Sequence, residues 1–228
     1  MSALPQVDEV SVTFAKRLVD TAEQLGCPVD PVLEHLGLKR SFFENSKNSI
    51  SNQKQVDLIS AIVSAVEKPG FGVRLGATVS ILDWGVLGYA FISSRNLHKA
   101  FDTLSTYQRL NGPLVNVYIR EEAGEGIISS MEAFPLGDLH QFAIEDWLSE
   151  TSAFFNHFDV AQIRFNKVLV TYPEPEHAQL YRSLYDCPVL FDQAVNEIHF
   201  PAEFLETPFD MADENVTEMC IRQCATIL

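Results

Sequence analysis

Positive charge is what this sequence has least of: 16 Lys and Arg stand against 31 Asp and Glu in 228 residues, a formal net charge of −15 at pH 7. A face that grips nucleic acid or an anionic membrane needs surplus cations to neutralise phosphates, so this chain is not expected to bind either by itself. Cysteine is scarce as well. Cys27, Cys187, Cys220 and Cys224 contain no C-x-x-C, which argues against a zinc ribbon or a thioredoxin-type pair and suits a reduced, cytoplasmic setting. No apolar run approaches the roughly 18 residues of a membrane span, and the N-terminus lacks the basic segment and apolar core of a signal peptide. G-x-S-x-G, H-E-x-x-H, P-loop and G-x-G-x-x-G patterns are all missing, as are solenoid repeats.

What is present is periodic apolar sequence, 46% of the chain. Phe14, Ala15, Leu18, Val19, Ala22 and Leu25 predict a first helix closed by Gly26. Asp30 and Pro31 predict the start of a second, closed by Gly37, and Ser51 the cap of a third that Pro69-Gly70 stops. The first seventy residues therefore read as helical throughout. Another helical piece is expected over 71–79. In 84–91, Gly85 and Gly88 stand three apart in an apolar run and would let a backbone or a ligand approach. Leu97, Phe101, Leu104 and Tyr107 mark a further helix, ended by Asn111-Gly112-Pro113.

The period then changes. Residues 114–120 and 127–134 read as an antiparallel hairpin joined by a turn over 121–126. A long helix follows from Leu139 to near His157, then a strand carrying Ala161, Ile163 and Phe165, a helix around 180–185, and two short strands at 187–191 and 196–200. The last stretch, 213–228, is an apolar-faced helix. The expected class is α+β in a single domain: a helical part (about 1–112) packed with a mainly antiparallel sheet (about 113–210), and a terminal helix over 213–228.

Candidate chemistry is thin. The histidines stand singly, without i,i+3 or i,i+4 pairs, so no metal site is indicated; His98, on a helix beside apolar residues, could in principle face a haem. Cys220 and Cys224, four apart on a helix, read best as buried thiols. No cofactor is indicated. Rings are plentiful, and Trp84, Tyr89, Tyr107 and Trp147 pair an apolar body with a polar tip, as ligand pockets do. Arg74, between glycines, has two readings: a guanidinium clamp on a ligand carboxylate, or an ion pair with a nearby acid such as Asp83, which weighs more.

Phe71-Gly72-Val73-Arg74-Leu75-Gly76, then Trp84-Gly85-Val86-Leu87-Gly88-Tyr89 with Ser93-Ser94, then Leu97, Ala100-Phe101 and Tyr107, form an ordered set of signatures. It continues through 181–191 and 196–205 to Pro208. With these residues the sequence resembles the N-terminal sensor domain of AraC-type transcription regulators, in the arabinose-binding-like branch, over about 10–225. The resemblance implies a sensor for a small-molecule effector that often forms a homodimer. It implies DNA contact only through a C-terminal helix-turn-helix domain, which does not follow Leu228 here. Some AraC sensors are β-barrels, an alternative that the helical first third argues against.

The ligand expected from the residues is an apolar molecule with one polar or acidic end. Arg74, Tyr89 and Tyr107 would hold that end, while Trp84, Phe101, Phe142 and Trp147 would enclose the rest. The terminal helix would relay the signal. An enzyme, a haem or gas sensor and a structural dimerisation module are the rival readings.

Overall fold

The computed structural model describes residues 8–157 and 163–228. Helix α1 (Thr13–Gln24) buries Ala15, Leu18, Val19 and Ala22, and Gly26 ends it at φ +86°, a backbone conformation that favours glycine. In α2 (Val29–His35) the expected cap is displaced. Pro28 precedes the helix with no side-chain bond, and Asp30 lies in the first turn, where its charge complements the helix dipole. Ser51 caps α3 (Asn52–Ala65) as expected, its Oγ accepting from the Lys54 amide at 3.3 Å.

The first seventy residues are not wholly helical. Glu9–Ser11 (β1) and Ser49–Ser51 (β2) pair antiparallel, with Val10 opposite Ile50 and both side chains buried. Strands of three residues are too short to display a two-residue period.

Next come α4 (Phe71–Gly76), a 3-10 turn over Ile81–Trp84, α5 (Gly85–Ile92) and α6 (Leu97–Tyr107). Asn96 caps α6, its Oδ1 accepting from the Lys99 amide at 3.0 Å. The hairpin β3 (Val115–Glu122) and β4 (Glu125–Glu132) is tighter than the expected 121–126 loop. Ala123 at φ +51° and Gly124 at φ +81° form a two-residue turn whose left-handed backbone matches the strand twist.

The remaining elements are α7 (His140–His157), β5 (Lys167–Leu169), α8 (Gln179–Leu184), β6 (Val189–Leu190), β7 (Asn196–Pro201) and α9 (Glu214–Ile227). The strand expected around 161–165 is shifted: Ala161 lies outside the described residues, Ile163 and Phe165 are not in a strand, and β5 begins at Lys167. The register explains why, since Val168 is the residue that meets Ile198 of β7 in the core.

The sheet order is β3-β4-β7-β5-β6, antiparallel except for the β5–β6 pair. The sheet is open, so the architecture is α+β and not a barrel. Helix α7 packs along α4 and also touches β3 and β4, while α5 packs on both α6 and α9.

The α4–α7 contact depends on two glycines. A Cβ on Gly72 would collide with the Phe142 carbonyl oxygen, and one on Gly76 with the Asp146 carbonyl oxygen. These glycines, four apart, share one helix face, so the two backbones approach directly. Of the two glycines flagged in the 84–91 run, Gly85 takes φ +55° in the turn into α5. A Cβ on Gly88 would meet the Ile81 carbonyl oxygen, so the backbone that approaches there is that of the preceding turn. Gly76→Ala should lower stability by about 1–3 kcal/mol despite alanine's better helix propensity, because the obstacle is backbone. Urea unfolding of the variant beside the parent measures this.

Candidate functional site

Where α1, α3, α6 and α7 meet the start of β3, the packing leaves a cavity of about 140 Å³. Its apolar wall comes from helical positions three and four apart: Phe101 and Leu104 on α6, Ala143 and Trp147 on α7. Trp84 and Phe91 close it from the segment that carries α5. Aromatic packing holds this wall rigid: Phe154 lies parallel to Trp84 at 6.3 Å between centroids and edge-on to Phe91 at 4.5 Å, and Phe91 meets Phe101 at 5.3 Å.

The polar wall centres on Arg17, which sits in the apolar stripe of α1, three residues after Phe14. Its side chain is 9% exposed. One guanidinium nitrogen donates to the Leu75 carbonyl at the end of α4 at 2.8 Å, and another donates to Glu150. Asp83 stands 3.6 Å from Nε and Asp146 3.8 Å from Nη1, and the Phe14 ring lies 5.1 Å beneath the guanidinium. One cation thus faces three carboxyl groups.

Burial, followed by the neighbouring Glu150, pushes the Asp146 carboxyl well above its ordinary range in spite of Arg17. Burial raises Glu150 too, against the pull of Arg17. For Arg17, burial opposes the charge, but Glu150, Asp146 and Asp83 together hold its pKa above the usual arginine value.

Several polar atoms of the cavity-lining residues have no hydrogen-bond partner: Asp146 Oδ1, Trp147 Nε1, Arg17 Nε and Gln55 Oε1. The Gln55 amide nitrogen donates to the Gly112 carbonyl at 3.2 Å, so only its acceptor is left over. Orphaned buried polar atoms are costly in a core and are common where a ligand supplies the partner.

Of the site residues expected from sequence, Trp84, Phe101 and Trp147 lie together on this cavity. Phe142 is buried nearby, against Phe71, without lining it, and Tyr107 is half-buried outside it. Tyr89 is 49% exposed, and Arg74 points to solvent. The reason for Arg74 is helical geometry: Gly72 and Gly76 face α7, and a residue midway between them is turned about 200° away. Neither of its two readings describes its position, because the acid named as its partner, Asp83, pairs with Arg17.

The sequence reading missed Arg17, Gln55, Asp83, Asp146 and Glu150 as site residues. A signal existed in α7, where Asp146 and Glu150, four apart, place like charges among Phe142, Ala143, Trp147 and Phe154. Such a spacing is unfavourable unless something between the charges offsets it.

His98 does not line the cavity; it is half-exposed, 3.8 Å from Asp102 and 3.7 Å from Glu206. Cys220 and Cys224 are buried free thiols on α9, raised in pKa by that burial. Among the described residues no group of three or more His, Cys, Asp or Glu is placed to hold a metal ion. No helix among them is long and apolar enough to cross a membrane.

Comparison with known proteins identifies this architecture. Residues 26–209 match the family described as the arabinose-binding domain of AraC transcription regulators, N-terminal. The ornithine utilization regulator of Pseudomonas aeruginosa is 25% identical over 219 residues, spanning 96% of this chain and 65% of the relative. An uncharacterized helix-turn-helix transcriptional regulator of Mycobacterium tuberculosis is 22% identical, spanning 100% of this chain and 68% of its own length. The crystal structure of the transcriptional regulator CdpR from Pseudomonas aeruginosa superposes with a TM-score of 0.67 at 15% identity, over 93% of this chain and 65% of that one, a likeness of fold. This chain belongs to the arabinose-binding N-terminal domain family of AraC transcription regulators. It spans just under two thirds of the length of the ornithine utilization regulator.

The surplus of carboxyl groups has a consequence for stability. In the unfolded chain Asp146 loses its proton near 3.8; in the folded protein it keeps it to higher pH. Across that window the folded state holds more protons, so stability falls as pH rises. Glu125, held down to about 2 by hydrogen bonds from Asn166 and His199, acts oppositely, but only at acid pH below its unfolded value. Asp146→Asn should therefore gain stability relative to the parent as pH rises above the unfolded value near 3.8, with the difference shrinking as pH falls toward that value. Thermal melts of both proteins across that range test it.

Proposed function

We propose that this chain is the effector-sensing domain of an AraC-type regulator, binding a small, largely apolar molecule with one polar end in the cavity and releasing it unchanged. The observation that carries this reading is a ring-walled cavity whose lining residues hold unpartnered donors and acceptors. An acidic ligand end gains no support, since Arg17 is the one cation among the described lining residues and three carboxyl groups already face it. The polar end is instead assigned to the Arg17, Asp146 and Gln55 side, with Trp84, Phe101 and Trp147 enclosing the remainder. A relative named for ornithine utilization agrees with a small metabolite as effector.

The assigned route of the signal is short. Trp84 and Phe91 touch the cavity and belong to the segment carrying α5, and α5 packs against α9. The Ser93 carbonyl accepts from the Asp213 amide at 2.8 Å, and the Ser93 and Thr217 hydroxyls are hydrogen-bonded at 2.9 Å. A ligand that binds one placement of α5 more tightly shifts its population, and α9 with it. A coupling of about 1–3 kcal/mol suffices for a switch. A second copy of this chain, a separate DNA-reading domain and a cytoplasmic setting complete the proposal. Exposed Met219, Ile227 and Leu228 give α9 an apolar surface for such contacts.

Both tryptophans of the chain line the cavity, so intrinsic fluorescence reports its occupation. In a screen of metabolites, an effector at about 100 times its Kd should stabilise the protein by about 2.7 kcal/mol and change tryptophan emission. Ala143→Leu, which fills the cavity, should abolish both responses. If no metabolite changes either signal, the dimerisation-module reading gains instead.

A further inference from the structure

We infer that the effector carries a cationic group, an ammonium or amidinium, which binds between the Asp146 and Glu150 carboxylates beside Arg17. This deepens the sensor reading and rests on it. The charge count is the first observation. Arg17 offers one positive charge to Asp83, Asp146 and Glu150 and also spends a donor on the Leu75 carbonyl, so three carboxyl groups share one cation on this wall. Full ionisation of all three in such a place is expensive, and a bound cation removes that cost.

The second observation is independent of charge. Of the four unpartnered lining atoms, Arg17 Nε and Trp147 Nε1 are donors, and Asp146 Oδ1 and Gln55 Oε1, on residues 7% and 2% exposed, are a pair of acceptors without a donor. An ammonium brings up to three donors and no acceptor, which is the complement of that pair. A carboxylate would instead add a fourth anion around one arginine, and a hydroxyl would leave the charge surplus as it is. The rings add to the preference, since Trp84 and Trp147 line the same cavity and indole rings attract cations. At about 140 Å³ the cavity suits a body of roughly benzene size, given that a dry cavity of about 150 Å³ can hold benzene.

Proton linkage follows from the same arrangement. The charged and titratable groups around Asp146 are Arg17 of α1, Asp83 of the 3-10 turn, and Glu145 and Glu150 of α7; Arg74 of α4 faces solvent. Burial raises both Asp146 and Glu150 in the free protein, and an incoming cation would lower them again. Cation binding should therefore release protons to the buffer over the pH range in which these carboxyls are still partly protonated.

The test uses three probes sharing one ring, benzylamine, benzyl alcohol and benzoate, with tryptophan emission and melting temperature as readouts. Benzylamine should bind at least about tenfold more tightly than benzyl alcohol, and benzoate more weakly than both. Asp146→Asn with Glu150→Gln should cut the amine preference to below about threefold while benzyl alcohol still binds, which shows that the cavity is intact. Calorimetry on the parent protein in two buffers of different ionisation enthalpy is the second measurement, needed if the double variant does not fold; it should show proton release with benzylamine only. Equal or tighter binding of benzyl alcohol or benzoate overturns the cationic assignment and leaves the cavity reading standing. Absence of any response to all three at millimolar concentration overturns both.

Discussion

The structure is organised around one guanidinium. Arg17 on α1 reaches the last carbonyls of α4 through Leu75, the 3-10 turn before α5 through Asp83, and α7 through Asp146 and Glu150. Helices α1 and α7, far apart in sequence, are thereby tied to α4 and the turn after it at one point. Ion pairs at such depth are weak evidence for stability, because desolvation offsets most of the attraction. A protein that needed only to be stable would have done as well with Leu or Met here. Keeping a cation and three acids beside a cavity makes sense where polarity at that wall has a use.

Around that point the packing is apolar and close. The glycine face of α4 lets α7 come near enough for Asp146 and Glu150 to reach Arg17, so the α4–α7 contact and the charge cluster are one construction. The rings of Trp84, Phe91, Phe101 and Phe154 then connect the cavity wall to α5 in a series of edge-on and stacked contacts. Interiors packed in this way move between discrete arrangements and do not deform smoothly, which is the property a switch requires.

Much of the fold was legible because its signals are local. Gly26 and Ser51 mark helix ends by their own backbone and side-chain chemistry, and the change from helical to alternating periodicity at 113 marks the start of the sheet. What escaped was set by distant partners. β1 and β2 exist because Val10 meets Ile50 forty residues away, and β5 starts at Lys167 because Ile198 fixes the register. The apolar side of the site was partly readable, since Trp84, Phe101 and Trp147 share helical spacing or ring character. The polar side was not, because an arginine beside glycines draws attention to Arg74, whereas the glycines mark the buried face and turn that arginine outward. Arg17 lies inside an apolar stripe, a less conspicuous place but the more informative one, since a charge there must find partners in the interior.

The asymmetry of the cluster also bears on how binding could reach α9. Three of the contacts to Arg17, those of Leu75, Asp146 and Glu150, lie on the tightly joined α4–α7 pair, whereas Asp83 belongs to the short turn that leads into α5. That turn is held by closer contacts of its own, Gly88 against Ile81 and the Ser80 amide on Asp83 at 3.0 Å. Asp83 is therefore tied to the segment that carries Trp84 and Phe91. Any group that competes with Arg17 for Asp146 and Glu150 changes how Arg17 is shared between the α4–α7 pair and Asp83. The electrostatic wall and the aromatic wall both adjoin the segment that carries α5, and the Ser93 contacts with Asp213 and Thr217 join that segment to α9.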